Sequence, residues 1–123
     1  MKITVKITPL GKPRQTRADK WKKRPCVMRY RAFADEIRRQ VGKVPDDAEC
    51  VSWVAYLPMP EKSWSKKKRD ALRGQLHRQK PDRDNIDKAI LDALFKDDSG
   101  IAAGTLCKRW DDGGGPRIEL EIS

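Results

Sequence analysis

The sequence predicts an α/β (α+β) fold: one small domain over residues 1–123, with a mixed β-sheet flanked by helices, assembled as a homodimer. Three observations lead there. A chain of 123 residues suits one domain, and it contains no internal repeat and no linker. Its apolar residues recur with period two in some segments and at helical spacing in others, in the order β-α-β-α-α-β-β. Hydrophobic and charged residues each make up 37%. That leaves little apolar material for a domain whose core is modest in any case, so a second copy is expected to complete part of the surface.

The segment MKITVKITP alternates Ile3, Val5 and Ile7 with Lys2, Thr4 and Lys6 and stops at Pro9, as a strand does. Residues 11–25, GKPRQTRADKWKKRP, have no hydrophobic period and read as a long basic loop. In MRYRAFADEIRRQVG, Tyr30, Phe33, Ala34, Ile37 and Val41 fall at helical spacing, and Gly42 is a natural stop. The uncharged run CVSWVAYLP, residues 50–58, predicts a strand buried on both faces. A basic helix is predicted over 63–76, capped by Ser63 or Ser65. Another is predicted over 85–95, with Ile86, Ile90, Ala93 and Leu94 as its apolar stripe. Residues 105–110 and 117–122 read as a closing hairpin, joined by the turn residues DDGGGP. Trp53 and Trp110 fall in these strands as core residues.

The formal net charge is +10, with 28 Lys+Arg against 18 Asp+Glu. Such an excess fits a polyanionic partner, nucleic acid first, because cations that neutralise phosphates release condensed counterions. A membrane is not expected: there is no apolar run of spanning length, no signal-peptide core and no basic amphipathic helix of membrane type. Cys26, Cys50 and Cys107 are odd in number and lack CxxC spacing, which argues against disulfides or zinc and fits reduced thiols in a cytoplasm.

Against this basic background, KPDRDNIDKAILDALFKDD gathers six carboxylates. If the chain stays extended after Pro81, Asp82 and Asp84 point to one side and Arg83 to the other. Two adjacent carboxylates repel, and a hard divalent cation such as Mg²⁺ would offset that repulsion. The alternative is helix capping, which accounts for Asp84 well and Asp82 poorly. Asp84, Lys88 and Asp92 share a helix face, either as a solvated ladder or with Lys88 beside the carboxylates to meet a phosphate oxygen. Asp92 is about 12 Å along the axis from Asp84, too far to share one ion easily.

Of Asp97 and Asp98, one is the better ligand candidate, and spacing leaves open which. A helix over 85–95 is about 16 Å long, and three extended residues return at most about 10 Å. Completion of the site by a partner subunit is therefore expected.

The core D-x-D-N-x-x-K-x-x-x-D-A-L with a downstream DD resembles the signature of the RusA family of Holliday-junction resolvases, in its phage or prophage type. MPEKSWSKKKRDALRGQLHRQ, GKPRQTRADKWKKRP and the KRW strand extend the resemblance over most of the chain. SGIAAG departs from it, being smaller than the apolar strand expected there, and the spacing from Asp92 to Asp98 is short. The resemblance implies a dimeric, Mg²⁺-dependent crossover junction endodeoxyribonuclease that acts in DNA recombination and repair. It would hydrolyse phosphodiesters of four-way junction DNA by paired nicks, with no small-molecule substrate, in the cytoplasm of a bacterial host. It implies Asp82, Asp84 and Asp98 as catalytic metal ligands, Asp98 being preferred over Asp97, and Lys88 as the active-site lysine.

Residues 12–31 hold nine Lys/Arg and one acid, and residues 62–80 hold eight and one. From these the candidate DNA contacts are Lys12, Arg14, Arg17, Lys20, Trp21, Lys22, Lys23, Arg24, Lys66, Lys67, Lys68 and Arg69. Trp21 either stacks on a base or packs against the sheet; Trp64 is expected to pack. His77, the one histidine, is left outside the site as a structural or exposed group. The rival readings are a non-catalytic basic DNA-binding protein, an RNA-associated protein, and a nuclease acting on other branched DNA.

Overall fold

In a computed structural model of the chain, residues 1–13 and 25–123 are described. The elements are β1 (Lys2–Val5), α1 (Pro25–Val41), β2 (Val51–Leu57), α2 (Lys66–Leu72), α3 (Arg83–Leu94), β3 (Leu106–Trp110) and β4 (Arg117–Ile122). One mixed sheet of four strands has the order β1-β4-β2-β3. β4 pairs antiparallel with both β1 and β2, while β3 runs parallel to β2. The predicted single α+β domain with a mixed sheet is the observed architecture.

Helix α1 begins with Pro25, whose fixed φ and missing N–H suit a first helical position. Val27, Tyr30, Phe33, Ala34, Ile37 and Val41 are its buried stripe. Gly42 ends it at φ +73°, donating its N–H to the Arg38 carbonyl at 2.9 Å, a left-handed cap that glycine adopts without strain. Helix α3 buries Ile86, Ala89, Ile90 and Ala93. The two helices share one core with Val5 of β1, Val51, Trp53, Ala55 and Leu57 of β2, and Ile118, Leu120 and Ile122 of β4.

Three expectations change. First, β2 is not buried on both faces: Val51, Trp53, Ala55 and Leu57 are buried, while Ser52, Val54 and Tyr56 between them are half-exposed. The helices cover one face, and an open depression lined by Lys2, Thr4, Ser52, Val54, Cys107, Glu119 and Glu121 remains on the sheet.

Second, β3 and β4 form no hairpin, because β2 lies between them. The link after β3 crosses the end of β2, where Asp111 donates its N–H to the Leu57 carbonyl at 2.8 Å. β4, with three buried aliphatic residues, takes a central place, and β3, less buried, lies outside.

Third, α2 stops at Leu72, well short of residue 76. Its start is as expected: the Ser65 hydroxyl accepts from the Lys68 N–H at 3.2 Å. It buries no residue, so no core contact prolongs it. The chain turns at Gly74 (φ +73°) and lies antiparallel along β3. There Trp110 N–H donates to the Gln75 carbonyl at 2.9 Å and His77 N–H to the Lys108 carbonyl at 3.0 Å. These bonds cover an otherwise open sheet edge.

The small residues of SGIAAG have a packing reason. Val51 N–H donates to the Ala103 carbonyl and Trp53 N–H to the Thr105 carbonyl, at 3.1 and 3.0 Å. A Cβ on Gly104 would stand 1.9 Å from the Val51 carbonyl oxygen. The segment approaches β2 backbone to backbone and leaves no room there for a side chain.

Candidate active site

The acidic stretch spans α3 and both its ends. Asp82 occupies the N-cap position with extended backbone, and its carbonyl accepts from Asn85 N–H and Ile86 N–H, both at 3.1 Å. Its carboxylate makes no cap hydrogen bond. Asp84 is not the cap; it stands in the first turn. The extended geometry expected for 82–84 ends at Asp82, because the helix begins at Arg83. Both carboxylates are exposed at the positive end of the helix, which favours anions, and neither is spent on capping.

Along the helix the other charged side chains differ in their partners. The Lys88 ammonium is 3.8 Å from the Asp84 carboxylate, and both side chains are exposed. Asp87, on the inner side, accepts from the Trp53 indole N–H at 2.9 Å. Asp92 does not extend the ladder. It accepts from the Tyr30 hydroxyl and pairs with Lys12, both at 2.7 Å. Burial pushes Asp92 up, but the hydrogen bonds from Lys12 and Tyr30 outweigh it and hold the carboxyl below its ordinary range. Burial, with Asp92 beside it, raises the Tyr30 hydroxyl.

Asp97 and Asp98 follow the far end of α3, which is about 18 Å long at 1.5 Å per residue. The Asp97 carboxylate accepts from Ser99 N–H at 3.0 Å, and the Ser99 hydrogen bonds hold it below its usual range. Asp98 is exposed, and its carboxylate has no partner among the described residues. The structure thus places Asp82 and Asp84 at the start of α3 with the mid-helix Lys88 ammonium near Asp84, while Asp98 follows the other end of the helix. Among the described residues no three His, Cys, Asp or Glu side chains gather as a metal cluster. A hydrated Mg²⁺ keeps several waters and takes one or two carboxylates, a number that Asp82 and Asp84 can supply.

Two features escaped the sequence reading. Lys108 reaches from β3 to the turn before α3, donating to the carbonyls of Gln79 and Pro81, each at 2.7 Å. Burial lowers its pKa, the neighbouring Asp82 carboxylate opposes this, and Arg83 adds to it. The loop before the basic segment also docks here. Lys12 N–H donates to the Asn85 carbonyl at 3.0 Å, and a Cβ on Gly11 would meet Pro81 Cβ at 2.9 Å. Between this loop and Asp82 lies a depression of about 470 Å³ that includes Lys12 and Lys80.

Of the candidate DNA contacts, Arg14, Arg17, Lys20, Trp21, Lys22, Lys23 and Arg24 lie outside the described residues. Lys12 sits on Asp92 and is half-buried. Lys66 and Lys67 are exposed on α2; Lys68 lies over the Trp64 ring at 4.3 Å, and Arg69 is partly buried. Trp64 packs as expected, edge-on to Trp110 at 4.8 Å between centroids. His77 is buried against Trp110 at 4.1 Å, and burial, then Lys108, lowers its pKa. Of the structural and exposed readings, the structure shows the first: the ring is packed.

No helix among the described residues is long and apolar enough to cross a membrane. No curated protein and no solved structure matches the chain significantly. A family model does: endodeoxyribonuclease RusA matches residues 5–123, nearly the whole chain. With that match spanning almost its full length, the chain belongs to the RusA endodeoxyribonuclease family.

Proposed function

We propose that the chain is a Mg²⁺-dependent, structure-specific endodeoxyribonuclease that resolves four-way junctions by paired nicks, in DNA recombination and repair. The observation that carries this reading is the state of Asp82 and Asp84. Two exposed carboxylates occupy one helix end, and neither serves as a cap. Basic segments surround them in sequence.

Asp82 and Asp84 would hold the ion, with Asp98 as a third ligand. A bound divalent ion supplies an activated water and charge stabilisation at the leaving 3′ oxygen. Lys88, paired only loosely with Asp84, can turn its ammonium to a non-bridging phosphate oxygen and offset charge as it develops. Lys66 and Lys67, with the cations of residues 12–31, hold the phosphate backbone and give affinity without base preference.

The active form is a homodimer. In one chain Asp98 follows the opposite end of α3 from Asp82 and Asp84, so Asp98 of a second copy is the economical way to complete the set. Two such sites in a symmetric dimer match the two nicks that a four-way junction needs. The place of action is the cytoplasm of a bacterial host, with the gene carried by a phage or prophage.

The test compares a synthetic four-way junction, a flap and a matched duplex, with Mg²⁺ or EDTA, using wild type and Asp82→Asn. Junction-selective nicking that needs Mg²⁺ and disappears in the variant is expected. Cutting of the flap in preference to the junction would move the substrate to other branched DNA. Tight binding without cutting would make the chain an architectural DNA-binding protein.

A further inference from the structure

We infer that Lys108 is a positioning residue: from β3 it fixes the turn that carries Asp82 by holding the carbonyls of Gln79 and Pro81. This rests on the reading of Asp82 and Asp84 as metal-holding residues.

The chain must turn sharply between the stretch along β3 that ends at His77 and the start of α3 at Arg83. Within that turn the carbonyls of Gln79 and Pro81 converge on one ammonium, at 2.7 Å each. Bonds to a charged donor are short and about twice as strong as neutral ones. Pro81 has no N–H, so its peptide cannot join a backbone ladder through nitrogen. Its carbonyl carbon is bonded directly to the Asp82 nitrogen, so holding that carbonyl sets where Asp82 begins. β3 is a firm base, paired with β2 along Leu106–Trp110 on one side and with the 75–77 stretch on the other.

The lysine also carries a charge near the carboxylates, and charge and position predict opposite results. A cation beside Asp82 repels a metal ion, so removing the charge alone would tighten Mg²⁺ binding. Losing the brace lets the turn relax and weakens it. Partners that orient metal ligands from behind commonly contribute 10–100-fold in affinity.

The experiment measures Mg²⁺ affinity by calorimetry on the DNA-free protein, then the Mg²⁺ dependence of junction nicking, junction binding in EDTA, and Tm. It uses wild type, Lys108→Met and Lys108→Arg. In Lys108→Met the Mg²⁺ Kd and the half-saturating Mg²⁺ concentration should both rise by about tenfold. Junction binding in EDTA should stay within about twofold of wild type, since Lys108 here faces backbone carbonyls and not phosphate. Lys108→Arg, which keeps two donors, should recover most of the loss.

Unchanged or tighter Mg²⁺ binding in Lys108→Met overturns the inference. So does a loss that follows a fall in Tm and is not recovered by Lys108→Arg. Should Lys108→Met fail to fold, Lys108→Gln, which is shorter and carries no charge, must show the same weakened Mg²⁺ binding. A wild-type protein that neither binds Mg²⁺ nor nicks junctions overturns the metal-dependent reading itself. A wild type that does both while Lys108→Met matches it overturns the positioning role alone.

Discussion

The indole N–H of Trp53 donates to the Asp87 carboxylate at 2.9 Å, tying the central strand β2 to the middle of α3. Trp53 is only 2% exposed, so its N–H has no water to turn to. This bond sets the height of α3 over the sheet, and with it the position of the helix end that carries Asp82 and Asp84. Trp53→Phe removes the donor and leaves Asp87 half-buried without it. The variant should lose about 2 kcal/mol in urea unfolding, the cost of an unmade buried hydrogen bond plus some lost packing. Asp87→Asn keeps an acceptor oxygen and should lose less.

The Tyr30–Asp92–Lys12 group gives a pH dependence whose sign follows from the direction of the shift. The Asp92 carboxyl is held below its ordinary value of 3.8 in the folded chain. Its contribution is therefore present above about pH 3.8 and is lost as pH falls through the lower folded value. In a Tm series from pH 6 to pH 2, Asp92→Asn should be the less stable protein at pH 6, and the gap from wild type should narrow below pH 4. Tyr30→Phe, which removes the 2.7 Å bond, should lower stability by about 1 kcal/mol at neutral pH.

How much of this was legible in the sequence depends on whether the signal was local. Helix α1 could be read because Tyr30, Phe33, Ala34, Ile37 and Val41 carry the period of the element and Gly42 its stop. The pairing of β4 could not. DDGGGP serves a hairpin and a crossover equally, and only the position of β2 decides between them. The end of α2 was hidden for the same reason: residues 75–77 are claimed by hydrogen bonds to β3, far along the chain. Asp82 and Asp84 stood out as a local pair in an acidic run. Lys108 did not, because it meets Pro81 across 27 residues and no motif links the two.

The segment SGIAAG supplies a contrast between two glycines. A Cβ on Gly104 would fall 1.9 Å from the Val51 carbonyl oxygen, a backbone atom in a central strand that cannot step aside. Gly104→Ala should destabilise by about 3 kcal/mol, at the upper end of overpacking costs, or prevent folding. A Cβ on Gly100 meets nothing within 4 Å, so Gly100→Ala should change Tm by less than 2 °C, within the usual range for surface changes. Equal effects at the two positions would mean that the approach to β2 is looser than described.

Lys66 and Lys67 are exposed on a helix that buries nothing, so their replacement tests DNA contact with little risk to the fold. Each lysine that neutralises one phosphate contributes about 0.9 to the slope of log K against log salt. Lys66→Ala with Lys67→Ala should reduce that slope by about two for junction DNA and weaken junction and duplex binding alike. An unchanged slope would take α2 out of the DNA-binding surface.

Whether Asp98 serves its own chain or the partner can be decided by mixing two inactive variants. Asp97 is already engaged by Ser99, so Asp97→Asn should cost less than tenfold in nicking, a bound set by the 10²–10³ expected when a group that stabilises the transition state is lost. Asp98→Asn and Asp82→Asn should each abolish it. A heterodimer of Asp98→Asn with Asp82→Asn then separates the geometries. If Asp98 completes the other subunit's site, one site carries both substitutions and the second carries none, so single-strand nicking returns. If Asp98 acts within its own chain, each site carries one substitution and nothing is cut. Asp82 precedes α3 and Asp98 follows its other end, which favours the first outcome, with nicks on one strand and no paired cleavage.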